Sequence, residues 1–514
     1  MPDYYISSTG TGNGSTEETA ANSFPIISNN TVYLIDSNGI LEIASTIYLT
    51  NKINVTIGSY GAGGAASINI NGISLFTTTG NCANLFIHDL ILNSIGNAHT
   101  ISFVSNISNV VLQNIYSTKS ITSENSSHIN FHGGYQYTDV AISDVTLDKG
   151  YRGIFAPVST ANISNNNWII STLTASNLTH QVIRLSTEPT NNAFHSSTFN
   201  NININSVRIT NSYGGIKVLS ADATYAWNPP SHGNNLVIYN CTLYNSPQIP
   251  TNNIEGSIVV TGMSNVVISN NVVVNVGTQG ALISLVACNN AIVECNYCER
   301  AFATNALNWQ GYYIDACGLF VDQGVQNSIF RRNIVVDCPG HNKESNSAMS
   351  APDAGGGIRF WNAGYNKIYS NILINSKFGF FYGHSAEIGN EVMHNLILDC
   401  SSAGIEKYND QTLAGNLLFK NNIVVNSANL LVYTGNANCT IITSNLYSNI
   451  SDAGIVLNDD GIPIRLTSNS VCRNSGNNLF ELLEDYNGLP YYSPPNIGPF
   501  SDVRGIADKI GILG

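Results

Sequence analysis

A unit of about two dozen residues recurs along this chain, and a recurrence of that length leaves few folds open. "NVVISNNVVVN" at 265, "NAIVECNYCE" at 290, "NKIYSNILIN" at 366, "NEVMHNLILD" at 390 and "NLLFKNNIVVN" at 416 are variations on one theme. So are "NVVLQNIYS" at 109, "NLVIYNCTLY" at 235 and "NSIFRRNIVVD" at 327. Each is a short alternating strand, an Asn, and a second short strand. A variable stretch follows, and then usually a Gly-led strand such as "GLFVDQG", "GGIRFWN" or "GFFYGH". The shortest spacings are 25, 24 and 26 residues. Three strands and three turns in that span make one rung of a solenoid, and the Asn suits a left-handed corner that few other residues tolerate. Stacked Asn side chains can then hydrogen-bond from rung to rung. A leucine-rich repeat would need a fixed Leu frame with a helix in every turn, which is absent. The expected fold is all-β, a parallel β-helix of roughly a dozen or more rungs with Ile, Val, Leu and Phe inside.

Composition agrees. Only 10% of residues are charged, too few Lys and Glu for many exposed helices, and β-branched residues favour strands. A net charge of −13 offers no basic stripe for phosphates and argues against a nucleic-acid partner. No apolar run reaches the length of a membrane span. The start, "MPDYYISSTGTGNG", shows no basic and apolar leader, so export after a removed signal, another route, or a place on a virion or in the cytosol are all left open. The ten cysteines permit disulfides without requiring them, and Cys295 and Cys298 form a lone CxxC with no second half to bind zinc.

The rungs, the opening "DYYISSTGTGNGSTEE", the early "VTIGSYGAGGAASI" and the closing "PPNIGPF" resemble right-handed parallel β-helix proteins of the pectate-lyase-like superfamily. The likeness covers nearly the whole chain. It implies one domain over 1–514: a cap and first rungs at 1–72, central rungs at 73–470, and a terminal cap or tail at 471–514. Long loops fall near 187–200, 221–235, 299–317 and 339–356. The resemblance also implies a polysaccharide partner lying along one sheet, an extracellular, cell-surface or virion location, and a monomer or homotrimer. Many activities share this scaffold, so chemistry has to be argued from the site.

Strand alternation supplies the candidates. If the residue after each Gly points inward, Phe320, Asp322, Arg359, Trp361, Phe381, Glu406 and Tyr408 point outward. Arg184 in "VIRLS" and Lys217 in "GIKVL" do the same upstream. Outward Trp, Phe and Tyr on neighbouring rungs, about 4.8 Å apart, invite sugar rings to stack. Trp227 and His384 lie in adjoining loops and join the substrate-binding set. The repeats starting at 290 and 327 run to 37 and 39 residues. Their insertions precede the strands of Asp322 and Arg359, and long solenoid insertions gather on a functional face.

Two reactions fit. Hydrolysis needs two carboxyl groups, about 5–5.5 Å apart for retention or about 6.5–9.5 Å for inversion. Asp322 and Glu406 are three rungs, roughly 14 Å, apart, so a partner for Asp322 would come from Asp315, Glu344 or Asp353 in the loops. Arg359 would orient a hydroxyl or carboxyl. The other reaction is β-elimination on a uronate. There Arg359, or the Arg184 and Lys217 pair, would neutralise the carboxylate, and Lys217 or His384 would be the base. The first is the leading expectation, glycosidic hydrolysis; the second is the alternative, and a non-catalytic adhesin or tailspike the third. Ca²⁺ on loop acids is the one cofactor left open. His128 and His132 share a face of "HINFHGG" but sit about 13 Å apart on a strand, too far to share a metal ion.

Overall fold

The computed structural model describes residues 3–120, 126–160, 163–187, 197–220, 233–244, 256–277, 281–302, 317–339, 355–383, 389–408, 418–434, 441–443, 445–476, 484–489 and 495–500. They form a parallel β-helix, nearly all strand, with one short helical turn at Ile450–Ala453. The chain divides into two compact units. The first comprises 1–222, 230–249 and 261–263; the second comprises 223–229, 250–260 and 264–514. Contacts in a solenoid run only from rung to rung, which makes such a division natural.

In unit 1 the strands are long: Asn81–Ile95, Asn106–Lys119, Tyr137–Gly150 and Ser164–Leu178 each cross a corner without losing pairing. The corner residues Asp89, Asn114, Asp144 and Thr172 adopt φ between 49° and 55°, a left-handed bend that aims the second half of each strand in a new direction. Pairing is in register and parallel, so like residues stack. Ile87, Leu112, Ile142, Ile170, Ile204 and Ile238 form one inward column, none more than 1% exposed. Ile101, Ile129, Ile154, Ile183 and Ile216 form another on the Gly-led sheet. Each such side chain contributes about 1.5–3 kcal/mol by leaving water.

Unit 2 has three inward columns: Phe330, Ile368, Val392, Phe419; Val335, Leu373, Ile397, Val424; and Leu319, Ile358, Phe380, Ile405. The glycines that lead its strands have a steric cause. A Cβ on Gly318, Gly357, Gly379 or Gly404 would strike Val335, Leu373, Ile397 or Val424 at 2.2–3.1 Å. The strands Ile372–Ile374 and Leu396–Leu398 are buried on both faces, because Ala453, Ile462, Leu466, Cys472, Ile497 and Phe500 pack over their outward residues.

The Asn expectation divides in two. Asn271, Asn296, Asn333, Asn371, Asn395 and Asn422 stack in a buried ladder, each side-chain amide donating to the next carbonyl oxygen at 2.9 Å. The left-handed corner is the residue before each: Asn270, Cys295, Arg332, Ser370, His394 and Asn421, with φ of 52–56°. In unit 1 both roles fall on one residue, as in Asn30, Asn54, Asn84 and Asn109, linked at 2.7–2.9 Å on the surface. "GAGGAAS" is a turn, with Gly61 and Gly64 at φ 94° and 87°. No two of the described cysteines form a disulfide.

Candidate functional site

On the Gly-led sheet of unit 2, Ser284, Phe320, Arg359, Phe381 and Glu406 stand in one outward row, and Asp322 and Trp361 in the next. The register therefore matches the alternation. Asp322 is directly opposite Trp361, and Arg359 directly opposite Phe320, so Asp322 and Arg359 meet on a diagonal rather than face to face.

The first row is closed, which alters the roles of its members. Phe381 is 0%, Arg359 2%, Glu406 6% and Phe320 7% exposed. The Arg359 guanidinium lies 4.9 Å from the Phe381 ring, 5.1 Å from Trp361 and 5.4 Å from Phe320. Three aromatic faces around one cation form a desolvated cation–π cage. Phe320 and Phe381, expected as open platforms for sugars, are committed to this cage, and Arg359, expected to meet substrate, is buried at its centre. Trp361 is half-buried, and its ring fills the space beside Gly383, where a Cβ would come within 2.1 Å of it.

Asp322 is half-buried at the end of its strand. Its Oδ1 accepts the Gln323 backbone N–H at 2.7 Å, and its carbonyl accepts the Val325 N–H at 3.2 Å. Its proposed partners Asp315, Glu344 and Asp353 lie outside the described residues, as do His384 and Trp227; so does the side chain of Tyr408. Among the described residues no three His, Cys, Asp or Glu side chains gather as metal ligands.

Unit 1 carries a different surface. Phe155, Arg184 and Lys217 stand in register on three successive rungs, all half-buried and outward. Arg152 closes over the Phe155 ring at 4.2 Å and over the Tyr151 ring at 4.8 Å; Arg184 approaches the Phe155 ring at 5.7 Å. The Arg184 Nε donates to Ser186 Oγ at 3.2 Å, which holds the guanidinium along the strand. Arg184 and Lys217 were legible in the sequence; Arg152 and Phe155 were missed. "RGIFAP" obeys the same Gly-led rule that exposed the others, so the signal for Phe155 was present. His128, which shares its face of the strand with Asn130, is fully buried. Its ring bonds Ser117 Oγ at 2.7 Å and the Lys149 carbonyl at 2.6 Å.

No protein-family model and no curated protein matches the chain. Among solved structures it is similar to the alginate lyase AlyF-OU02, 12% identical over 86% of both chains with a TM-score of 0.40. It is also similar to a lacto-N-biosidase from Eubacterium ramulus, 12% identical over 79% of this chain and 67% of that one, TM-score 0.38. A third is tailspike protein 3 of bacteriophage CBA120, 13% identical over 84% of this chain and 62% of that one, TM-score 0.40. These three differ in activity, and none lends its own to this chain. The fold rests on the strand pairing described above.

Proposed function

We propose that this chain binds an acidic polysaccharide along the outward face of its Gly-led sheet in unit 1 and cleaves it by β-elimination. The observation that carries the reading is the in-register pair Arg184 and Lys217, one rung apart beside the Arg152–Phe155 stack. A rung repeat of about 4.8 Å offers one cation per rung to a chain of uronates, and the half-buried setting strengthens each contact relative to open water. In such a site a guanidinium neutralises the uronate carboxylate, which acidifies the neighbouring C5–H. A base takes that proton, the electron pair forms the C4–C5 double bond, and the C4–O bond breaks; the glycosyl oxygen takes its proton from water or from the newly protonated base. In this reading Lys217 serves as the base and Arg184 as the carboxylate's partner. The net charge of −13 does not oppose this, because screening leaves local charge decisive at contact distance.

A second reading has its own observation. Asp322 projects from an outward row beside Trp361, the arrangement a hydrolase acid would take against a sugar ring. One experiment separates the two. Wild type, Lys217→Ala, Arg184→Ala and Asp322→Asn are incubated with uronate and neutral polysaccharides while reducing ends and ultraviolet absorbance of unsaturated uronate are followed together. Both signals, lost in Lys217→Ala and kept in Asp322→Asn, support elimination. Reducing ends without absorbance, lost in Asp322→Asn, would overturn it in favour of hydrolysis. Neither signal, with binding retained, would make the protein a glycan-binding adhesin or spike.

A further inference from the structure

The three rungs that carry Phe155, Arg184 and Lys217 also carry an aromatic ring at the corner that leads into each strand. Tyr151 stands three residues before the inward Ile154, His180 three before Ile183, and Tyr213 three before Ile216. All three are half-buried. On the two preceding rungs the same position, counted from Ile101 and Ile129, holds Ala98 and Ser126. The corner rings and the outward row of Phe155, Arg184 and Lys217 therefore begin together.

Arg152 joins the corner to the row. Its guanidinium lies 4.2 Å from the Phe155 ring and 4.8 Å from the Tyr151 ring. The His180 imidazole lies 4.7 Å from Tyr151, tilted by 60°. With Arg184 5.7 Å from Phe155, cations and rings follow one another from the row to the corner: Arg184, Phe155, Arg152, Tyr151, His180. Tyr213 repeats the corner position one rung on, its backbone N–H donating to the Leu178 carbonyl at 2.9 Å. Close stacking of the chain holds these corners together. A Cβ on Gly153 would lie 2.3 Å from the Val182 carbonyl oxygen, and one on Gly214 would lie 2.8 Å from the Gln181 Cα, so glycine is needed beside the rings.

A uronate residue has two kinds of surface, a carboxylate at one edge and a ring face of C–H groups. A guanidinium answers the first, and an aromatic face answers the second. Rings alone would suit a neutral sugar, and cations alone any anion; both kinds on the same three rungs suit a sugar acid. We propose that Tyr151, His180 and Tyr213 form a stacking shelf for the C–H faces of uronate residues whose carboxylates are held by the outward row. The inference rests on the reading given under Proposed function and adds which face of the sugar the site takes. The shelf sets affinity and orientation, so its rings are positioning residues and take no proton. At a rung repeat of about 4.8 Å its three rings serve consecutive sugars of one chain.

The test uses the full chain and a short oligogalacturonate, with turnover followed by the absorbance of unsaturated uronate. Tyr213→Ala is expected to raise KM severalfold while kcat stays nearly unchanged. Tyr213→Phe and His180→Phe keep a flat ring and are expected to stay near wild type in both constants. Circular dichroism and thermal melting confirm that each variant is folded. Saturation-transfer NMR supplies a readout that a packing role would not move. In the Lys217→Ala background, which stops turnover, irradiation of the protein's aromatic protons is expected to mark the ring C–H protons of the bound sugar. Adding Tyr213→Ala is expected to weaken that mark. An unchanged KM in Tyr213→Ala, an equal loss in Tyr213→Phe, or a fall of kcat in His180→Phe would overturn the shelf and leave the elimination reading standing. If the wild type cleaves nothing, the elimination reading fails, and calorimetry of the oligogalacturonate judges the shelf by itself. Weaker binding to Tyr213→Ala than to wild type would support it; equal binding, or no binding to wild type, would overturn it.

Discussion

Asn333 gives both its side-chain amide and its backbone N–H to the Oδ1 of Asn371, at 2.9 and 3.0 Å. Asn371 repeats the gesture toward Asn395, at 2.9 Å for each donor, and also donates its amide to the Phe330 carbonyl at 2.9 Å. All three residues are fully buried, so each rung depends on the next to satisfy polar groups that water cannot reach. Asn371→Leu fills the volume but leaves donors of Asn333 and the Phe330 carbonyl without this partner. At about 1–3 kcal/mol for each buried group left unmade, the loss is expected to be about 3 kcal/mol or more. The urea midpoint of the variant should fall accordingly, and a midpoint within error of wild type would show that the rungs do not rely on the ladder.

Much of this architecture was readable because two periods are independent of everything else in the chain. The rung length is set by three strands and three corners, and the strand period of two is set by the pleat. Together they placed Phe320, Asp322, Arg359, Trp361, Phe381 and Glu406 on outward rows where the register puts them. Alternation gives direction but not cover. Nothing local distinguishes Phe381, 0% exposed, from an outward ring open to a ligand. The corner was placed one residue late because the stacked residue must be Asn, whereas a left-handed φ is held by Arg332, Ser370 and His394 once tertiary packing compels it. The meeting of His180 with Tyr151 depends on how one rung lies on another, which residue types alone do not specify.

Arg359 should be far less tolerant of Lys than its charge suggests. Its planar guanidinium is weakly hydrated and lies within 5.4 Å of the ring centres of Phe320, Trp361 and Phe381, whereas an ammonium is compact and strongly hydrated. Arg359→Lys is expected to cost about 1–3 kcal/mol, the scale of a desolvated cation–π contact with its packing. Urea unfolding of the variant measures this. A neutral result would mean that the cage contributes shape and not cation binding.

Gly383 is the other half of the Trp361 position. A methyl group there would lie 2.1 and 2.3 Å from the Trp361 ring carbons Cε3 and Cζ3, so the indole must turn away or the strand must shift. Gly383→Ala should cost about 1–3 kcal/mol, as overpacking does. In a Trp361→Phe background, where the smaller ring leaves room, the same change should cost much less. A double-mutant cycle reads the coupling directly, and additive effects would place the strain elsewhere in the strand.

His394 makes unit 2 sensitive to acid. Its Nδ1–H donates to the Gly498 carbonyl at 3.2 Å, and its Nε2 accepts from Asn421 Nδ2 at 3.0 Å, so the neutral ring ties Gly498 to the rungs. Burial is the main cause that pulls it down to about 4, against the backbone bonds that raise it. An unfolded histidine titrates near 6.5 (about 6.5 in model peptides). Between those values only the unfolded chain takes the proton, so the contribution of His394 is complete above the unfolded value and is lost as pH falls through the window. The slope is about 1.4 kcal/mol per pH unit, which gives roughly 2–3 kcal/mol between pH 6.5 and 4.5. His394→Gln keeps a donor and an acceptor but cannot titrate. The stability gap between wild type and His394→Gln, from urea midpoints at pH 7 and 4.5, should therefore narrow by about that amount in acid. A constant gap would assign the acid sensitivity to other groups, foremost His128, which burial lowers to about 3.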